Sequence, residues 1–376
     1  MPLFAFCFDL DRTLNGTISS TAIRKNKGGF TMDFYQHLSR RKFIRLASGA
    51  VISMSAFSLM GCGNNGNGET AANTANETEA ASGNNAKVFF TSDISPQGLL
   101  NVYDRIKDNL KGNIAIKLHT GEPHGPNLLP IELIQSLQSN IPSSTIVECN
   151  VAYSSPRRNT DTHRQAIETN GFTFCPVDIM DADGDINLPV PSIQERIDSG
   201  IIKNPGAHIT EVPVGAHLAN YDSMLVYTHF KGHAMGGFGG SLKNIGIGVA
   251  SRHGKEVVHG RGWPTGKEFL ERMVESGYAI TNHFGSQIVY INVLKNMSVD
   301  CDCDAHGAAP VCSDIGILAS TDILAIDQAS IDLVYKLPPE ENHDLIERIE
   351  SRDGLHQLDY MAELGMGNRN YDLIQI

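Results

Sequence analysis

The sequence predicts an α/β protein, a largely parallel sheet flanked by helices, forming a single large domain after a leader and flexible tether. Three observations carry this reading. From Lys87 onward, short apolar runs of strand length alternate with longer runs of helical period. Polar and charged residues collect where the strand-like runs end, as they do at the carboxyl edge of a parallel sheet. No internal repeat interrupts the alternation.

The elements follow in order. Val88-Phe-Phe90 is a short strand, and residues 97–110 have helical period. Asn113-Ile-Ala-Ile-Lys-Leu118 is a strand, followed by a polar loop over 119–127 and a helix over 130–138 with proline in its first turn. Thr145-Ile-Val-Glu-Cys149 is a strand and 150–159 a loop; the helix over 160–169 stops at Asn170-Gly171. Ser223-Met-Leu-Val-Tyr-Thr228 is a buried strand, 267–276 a helix, 287–294 a strand and 314–318 another. Residues 321–335 form an amphipathic helix, and two more helices cover 339–349 and 355–364.

Composition narrows the classes. Charged residues are 19% and hydrophobic ones 41% of 376, an ordinary globular balance. Residues 1–61 carry eight Lys/Arg against three Asp/Glu, a net +5, which leaves the remainder at −17 within a total of −12. So acidic a body argues against nucleic acid as a partner.

The leader has its own signals. Ser39-Arg-Arg-Lys-Phe-Ile-Arg45 precedes a modest apolar run, as in a twin-arginine export signal. The run is short and rich in Ser and Gly, unlike a membrane span. It ends in Leu59-Met-Gly-Cys62, which resembles a lipobox in which Cys62 takes lipid and becomes the mature N-terminus. Residues 32–62 are therefore read as a twin-arginine lipoprotein signal, and 1–31 as a misassigned start. Within 1–31, Phe8-Asp-Leu-Asp-Arg-Thr-Leu14 resembles the nucleophile motif of haloacid-dehalogenase phosphatases, with Asp9 and Asp11 in the reactive positions. It lacks the preceding strand and following core, so it is read as a decoy. Residues 63–86 have no apolar period and form the flexible linker.

The richest stretch is 228–255, where His229, Lys231, His233, Lys243, Arg252, His253 and Lys255 stand among closely spaced glycines after a strand. Backbone without side chains allows close approach of a ligand, so this is read as one wall of a site. It matches neither a Walker A loop nor a clean GxGxxG. His229 and His233 have i, i+4 spacing, but the intervening glycine argues against a helix. A second concentration, Cys301-Asp-Cys303 with His306 and Cys312, offers three thiols and an imidazole within twelve residues. That set suits zinc or an iron–sulfur centre, while a disulfide from Cys312 to either neighbour is the competing reading for an exported chain. Cys149 and Cys175 read as buried thiols.

Several of these segments together resemble a known family. His229-Phe-Lys-Gly-His233, Gly237-Phe-Gly-Gly-Ser-Leu-Lys-Asn-Ile-Gly246, Cys301-Asp-Cys303, Asp314-Ile-Gly-Ile-Leu-Ala-Ser320 and Ala325-Ile-Asp-Gln-Ala-Ser330 are similar to domain of unknown function 362, whose members are often labelled uncharacterised Fe–S centre proteins. The resemblance runs over 87–376, includes Lys117 and Gly121-Glu122, and implies a metal or Fe–S cofactor of unspecified identity. The separate CxxCxxC module of several members is not in this chain.

The expectation is an exported, membrane-anchored lipoprotein on the periplasmic or extracytoplasmic face, delivered by the twin-arginine translocase, with a metal-centred domain. It would be a redox or metal-dependent enzyme on a small anionic substrate; the alternative is a non-catalytic metal- or solute-binding lipoprotein. Cys301, Cys303, Cys312 and His306 would ligate metal. Lys117, His124, Lys231, Lys243 and Asn244 would bind the ligand, and Glu122, His229 and His233 would move protons.

Overall fold

The computed structural model describes residues 85–202 and 207–376. The export signal, Cys62, the linker up to Asn84 and the Asp9/Asp11 motif lie outside the described residues. The strands are β1 (Ala86–Thr91), β2 (Ile114–Lys117), β3 (Ser144–Glu148), β4 (Val177–Ile179), β5 (Asp185–Pro189), β6 (Glu211–Gly215), β7 (Ser223–His229), β8 (Lys231–His233), β9 (Gly237–Gly239), β10 (Ile288–Leu294), β11 (Gly316–Ser320) and β12 (Tyr371–Gln375). Eight of them form one sheet in the order β12-β1-β11-β10-β7-β2-β3-β4. Within it β11 alone runs antiparallel to its neighbours. β5 pairs with β6 and β8 with β9 as small antiparallel ribbons.

Both faces of the sheet are covered, which is why its central strands read as unbroken apolar runs. Side chains alternate between the faces. Ile114 and Ile116, with Leu225 and Tyr227, enter one core; Ala115, with Met224 and Val226, enters the other. The first core is closed by α1 (Pro96–Tyr103), α2 (Ile131–Ser139) and α3 (Thr160–Thr169). The second is closed by the remaining helices: α4 (Gln194–Asp198), α5 (Ser241–Gly248), α6 (Arg252–His259), α7 (Lys267–Phe284), α8 (Ile323–Lys336), α9 (Pro339–Ser351) and α10 (His356–Leu364). Among the described residues no helix is long and apolar enough to cross a membrane.

Local side-chain caps set three of the helix starts. The Ser95 hydroxyl accepts from Gly98 N at 3.1 Å with Pro96 at the first turn, and Ser251 and Asp322 cap α6 and α8 in the same way. Three expectations need correction. The helix read over 97–110 ends at Tyr103 and gives way to a 3₁₀ turn at Lys107–Asn109. The helix read over 267–276 continues to Phe284, because Gly277 lets α7 pack closely on Leu242 of α5. The stretch after His229 is not loop alone: it folds into the β8–β9 ribbon and then α5 and α6.

Topology places a crevice. From β2 the chain steps outward through β3 and β4, then returns to the opposite side of β2 as β7, with β10 beyond. The direction of winding therefore reverses between β2 and β7, and ligands in open α/β sheets bind outside the carboxyl ends at such a point. Lys117, Glu148 and His229 are the last residues of β2, β3 and β7.

One buried acid ties the second layer to this crevice. Asp327 of α8 accepts from Ser241 N at 2.8 Å and Leu242 N at 2.9 Å, capping α5, and from Asn292 Nδ2 of β10 at 2.9 Å. Gly240 makes this possible, since a Cβ there would lie 2.5 Å from Asp327 Oδ1. Burial raises the Asp327 carboxyl to about 6. Asp327→Ala is expected to lower unfolding stability by roughly 2–4 kcal/mol through the lost cap and the one Asn292 N–H left without its acceptor, the contact to Ser330 remaining. Asp327→Asn, which keeps an acceptor, should recover part of that; equal denaturation midpoints for wild type and Asp327→Ala would contradict the assignment.

Candidate active site

The crevice contains a cavity of about 250 Å³. Its base is built from buried charges. The Lys117 ammonium, on a residue only 1% exposed, meets Glu148 Oε2 at 2.9 Å and also donates to the Leu118 carbonyl. Glu148 Oε1 takes Arg157 Nη2 at 2.9 Å, Thr120 N at 2.8 Å and Thr120 Oγ1 at 3.0 Å. Burial opposes charge on Glu148, but Lys117 and Arg157 outweigh it and hold the carboxyl well below its usual range. Gly248 of α5 leaves the room this needs: a Cβ there would stand 2.5 Å from Lys117 Cε and 2.8 Å from Nζ.

A second buried acid holds the other side. Asp302 accepts from Lys231 Nζ at 2.7 Å and lies 3.0 Å from His229 Nδ1. The other His229 nitrogen is 2.8 Å from the Lys295 carbonyl, so both ring nitrogens face oxygen acceptors and neither is left for a ligand. Burial works against the Asp302 carboxylate, yet His229 and Lys231 keep it below its usual range; burial likewise opposes the Lys231 ammonium, and Asp302 raises it.

Between these anchors lie the thiols. Cys301 and Cys303 flank Asp302 on a turn closed by Asp304 N to Cys301 O at 2.8 Å. Donor atoms of His233, Cys301 and Cys303 all lie within 4.8 Å of one another. Its neighbour Cys303, with Lys243 and Lys231, holds the Cys301 thiol well below its usual range against burial, while Cys303 is pushed up. Lys243 Nζ stands 3.7 Å from Cys301 Sγ. His233 Nδ1 accepts from Gly236 N at 2.9 Å. Burial, then Lys243, lowers His233 well below the ordinary imidazole range.

Not all of the sequence-derived candidates converge here. Lys117, His229, Lys231, His233, Lys243, Asn244 and Cys303 line the cavity. Asn244 fixes strand ends, donating to Tyr227 O and Thr228 Oγ1 at 3.0 Å each. Glu122 sits behind the wall, holding Tyr153 OH and Ser155 Oγ at 2.6 Å each, with Arg157 at 3.5 Å. His124 is exposed in a left-handed turn, and its backbone N–H goes to Asn170. Cys312 and His306 are not part of the donor group; His306 is exposed and Cys312 packs half-buried against the apolar core. His233, 68 positions upstream of Cys301, stands in the group instead. No disulfide forms among the described cysteines.

Other wall residues are not singled out one by one in the sequence: Glu148 and Arg157 fall within the polar stretch that closes a strand, Cys149 reads only as a buried thiol, and His259 and Trp263 carry no signal; all five line the cavity, and Asp302 supports it. Glu148 carries the same signal as the expected Lys117, a charge that ends an otherwise apolar strand.

The fold and site thus define an α/β domain with a crevice at its switch point that is lined by lysines and flanked by two cysteines. The chain belongs to the family described as Domain of unknown function (DUF362), whose model matches residues 114–332. Solved structures with some likeness include the lactate racemase apoprotein from Thermoanaerobacterium thermosaccharolyticum, at 11% identity and a TM-score of 0.38, over 65% of this chain and 56% of that one. A Thermotoga maritima protein is similar at 13% identity and a TM-score of 0.33, over 58% of this chain and 55% of that one. The chain spans little more than half the length of either. No curated protein matches it.

Four buried imidazoles set a pH dependence. Burial lowers His119 and His233 well below the ordinary range, and brings His163 to about 3 and His259 to about 4. The unfolded chain takes up these protons near pH 6.5 while the fold does not, so these rings make stability fall as pH drops below that value. His217, raised by its bonds to Asp178 and Asp183, and the buried Asp327, raised to about 6, oppose this, but His217 is only half-buried and Asp327 offsets one ring of the four. The melting temperature should therefore begin to fall just below pH 6.5; a plateau extending to pH 5 would contradict the neutral-imidazole assignment.

Proposed function

We propose that the domain holds one soft metal ion on Cys301, Cys303 and His233 and acts with it on a small anionic ligand. The observation carrying this is the convergence of these three donors beside a cavity that also receives Lys117, Lys231, Lys243 and Lys255. Two thiolates select zinc or a similar soft ion over Mg²⁺ or Ca²⁺. Three protein donors leave a fourth tetrahedral position, the arrangement of catalytic rather than structural sites. An Fe–S cluster fits less well, because it takes four donors and the described residues gather three.

A bound ion would supply Lewis-acid polarisation of the ligand. The chain's own groups do the rest. Lys243 and Lys231 balance the sulfur charge, Lys117 and Arg157 are fixed by Glu148, and the glycine-rich β8–β9 ribbon lets a ligand approach the backbone.

One observation favours a metal-free alternative. His233 Nδ1 already accepts from Gly236 N, so the neutral ring carries its proton on Nε2 and acts as a donor. In that reading Cys301 is a nucleophilic or redox thiolate with Cys303 as its partner. The wider proposal of a twin-arginine-exported, lipid-anchored protein rests on Arg40-Arg41 and Leu59-Met-Gly-Cys62. A non-catalytic binding lipoprotein is the competing role, distinguished by turnover.

Anaerobic purification followed by elemental analysis separates the two readings. The metal reading expects about one transition-metal ion per chain, with most of it lost in Cys301→Ser and Cys303→Ser at unchanged helical content. Metal-free protein with both thiols titratable would overturn it and leave the thiolate reading standing.

A further inference from the structure

The anionic-ligand reading leaves the ligand's chemistry open, and α6 narrows it. Lys255 is 5% exposed and lines the cavity, yet among the described residues no carboxylate lies within salt-bridge reach of its ammonium. It donates a hydrogen bond of 2.6 Å to the Ala250 carbonyl. The other buried ammonium groups of the wall differ in this respect: Lys117 has Glu148, Lys231 has Asp302, and Lys243 has the Cys301 sulfur. Burial pulls the Lys255 ammonium below its usual range, with Cys149, Asp181 and Glu148 only partly opposing this, so an anion bound within reach is what would keep it charged.

What continues from Lys255 is aromatic. His259 lies one turn further along the same face of α6, and the Trp263 ring stacks on it at 4.0 Å, with Phe269 on the other side at 4.9 Å. His259 Nδ1 is buried without a hydrogen-bond partner, so this end of the wall behaves as a stack of neutral rings. Ile247, Val151 and Met235 complete an apolar lining. Trp263 remains 42% exposed at the rim.

We propose that the cavity takes a small monocarboxylic acid with a compact apolar or aromatic body. The carboxylate meets the Lys255 ammonium, and the body lies along Trp263 and Ile247. This rests on the anionic-ligand reading above and specifies it. One unpaired ammonium matches one negative charge, whereas a phosphate monoester brings close to two and would need a second free cation. A sugar phosphate would also leave hydroxyls unpaired against apolar walls.

Trp263 is the only tryptophan in the chain, so its fluorescence reports this rim alone. Phenylacetate and 4-methylpentanoate, titrated into the full-length protein, should change the emission saturably, while phenylacetamide and glycerol 3-phosphate should not. Lys255→Met should weaken phenylacetate roughly tenfold or more, the loss expected of a charge-assisted contact, and Lys255→Arg should restore most of it. Ile247→Asp, which keeps Lys255 in place, should abolish binding by like-charge repulsion and serves if Lys255→Met does not fold. Saturable binding of phenylacetate that is indifferent to both Lys255→Met and Ile247→Asp would overturn the subsite. Tighter binding of glycerol 3-phosphate would overturn the monocarboxylate class while sparing the anionic-ligand reading. Binding of neither anion by calorimetry would remove both.

Discussion

The buried Glu148 carboxylate is the constraint on which the site depends. It closes β3 and accepts from Lys117 at the end of β2 and from Arg157 on the following turn, at 2.9 Å each. Taking three charges out of water costs several kcal/mol per ion, and only close, saturated geometry offsets it. Thr120 completes the set, so each Glu148 oxygen is engaged. Removing the carboxylate would strand two cations beneath the cavity, a change of the kind that costs roughly 3–5 kcal/mol. Asp302 repeats the device on the far side with Lys231 and His229. The strand ends are thus pinned by ion pairs, and the cavity is what remains between the two pinned groups.

That construction explains how an acidic protein offers a cationic pocket. The chain as a whole carries −12, but much of its positive charge near the site is drawn inward with the side chains buried. Their low-dielectric surroundings make each interaction with a bound anion stronger than at the surface. Positioning comes from outside the crevice. Asp327 fixes α5, Gln357 Nε2 donates to Gly236 O at 2.7 Å behind the glycine-rich ribbon, and Arg348 holds the cysteine turn through Val299 O and Asp300. The segments Gly237–Gly246 and Ala325–Ser330, which stood out in the sequence, prove to be two halves of one junction, with Asp327 inserted against Gly240.

The fold was legible because its signals are local. Apolar strands such as Ile114–Lys117 and amphipathic helices such as Thr160–Thr169 carry their period in the chain. The glycine-rich wall was legible as well, since glycine spacing is a property of backbone. What escaped depends on contacts between distant segments. The β8–β9 ribbon is only three residues per strand, too short to show alternation. Spacing grouped His306 and Cys312 with the Cys-Asp-Cys turn, but the turn folds toward β8, where His233 waits, and not toward its own continuation. Lys255 lay in plain view, and its significance comes from the absence of a salt-bridge partner within reach, a property no sequence pattern records.

The central claim is that Cys301, Cys303 and His233 meet on a single ion facing the cavity. Anomalous diffraction from crystals grown anaerobically tests it most directly, because it locates a metal without reference to activity. One anomalous peak is expected at about 2.3 Å from both sulfurs and about 2.0–2.1 Å from a His233 nitrogen. A sulfur–sulfur bond of about 2.05 Å between these cysteines, or two separate thiols with no peak between them, would contradict it.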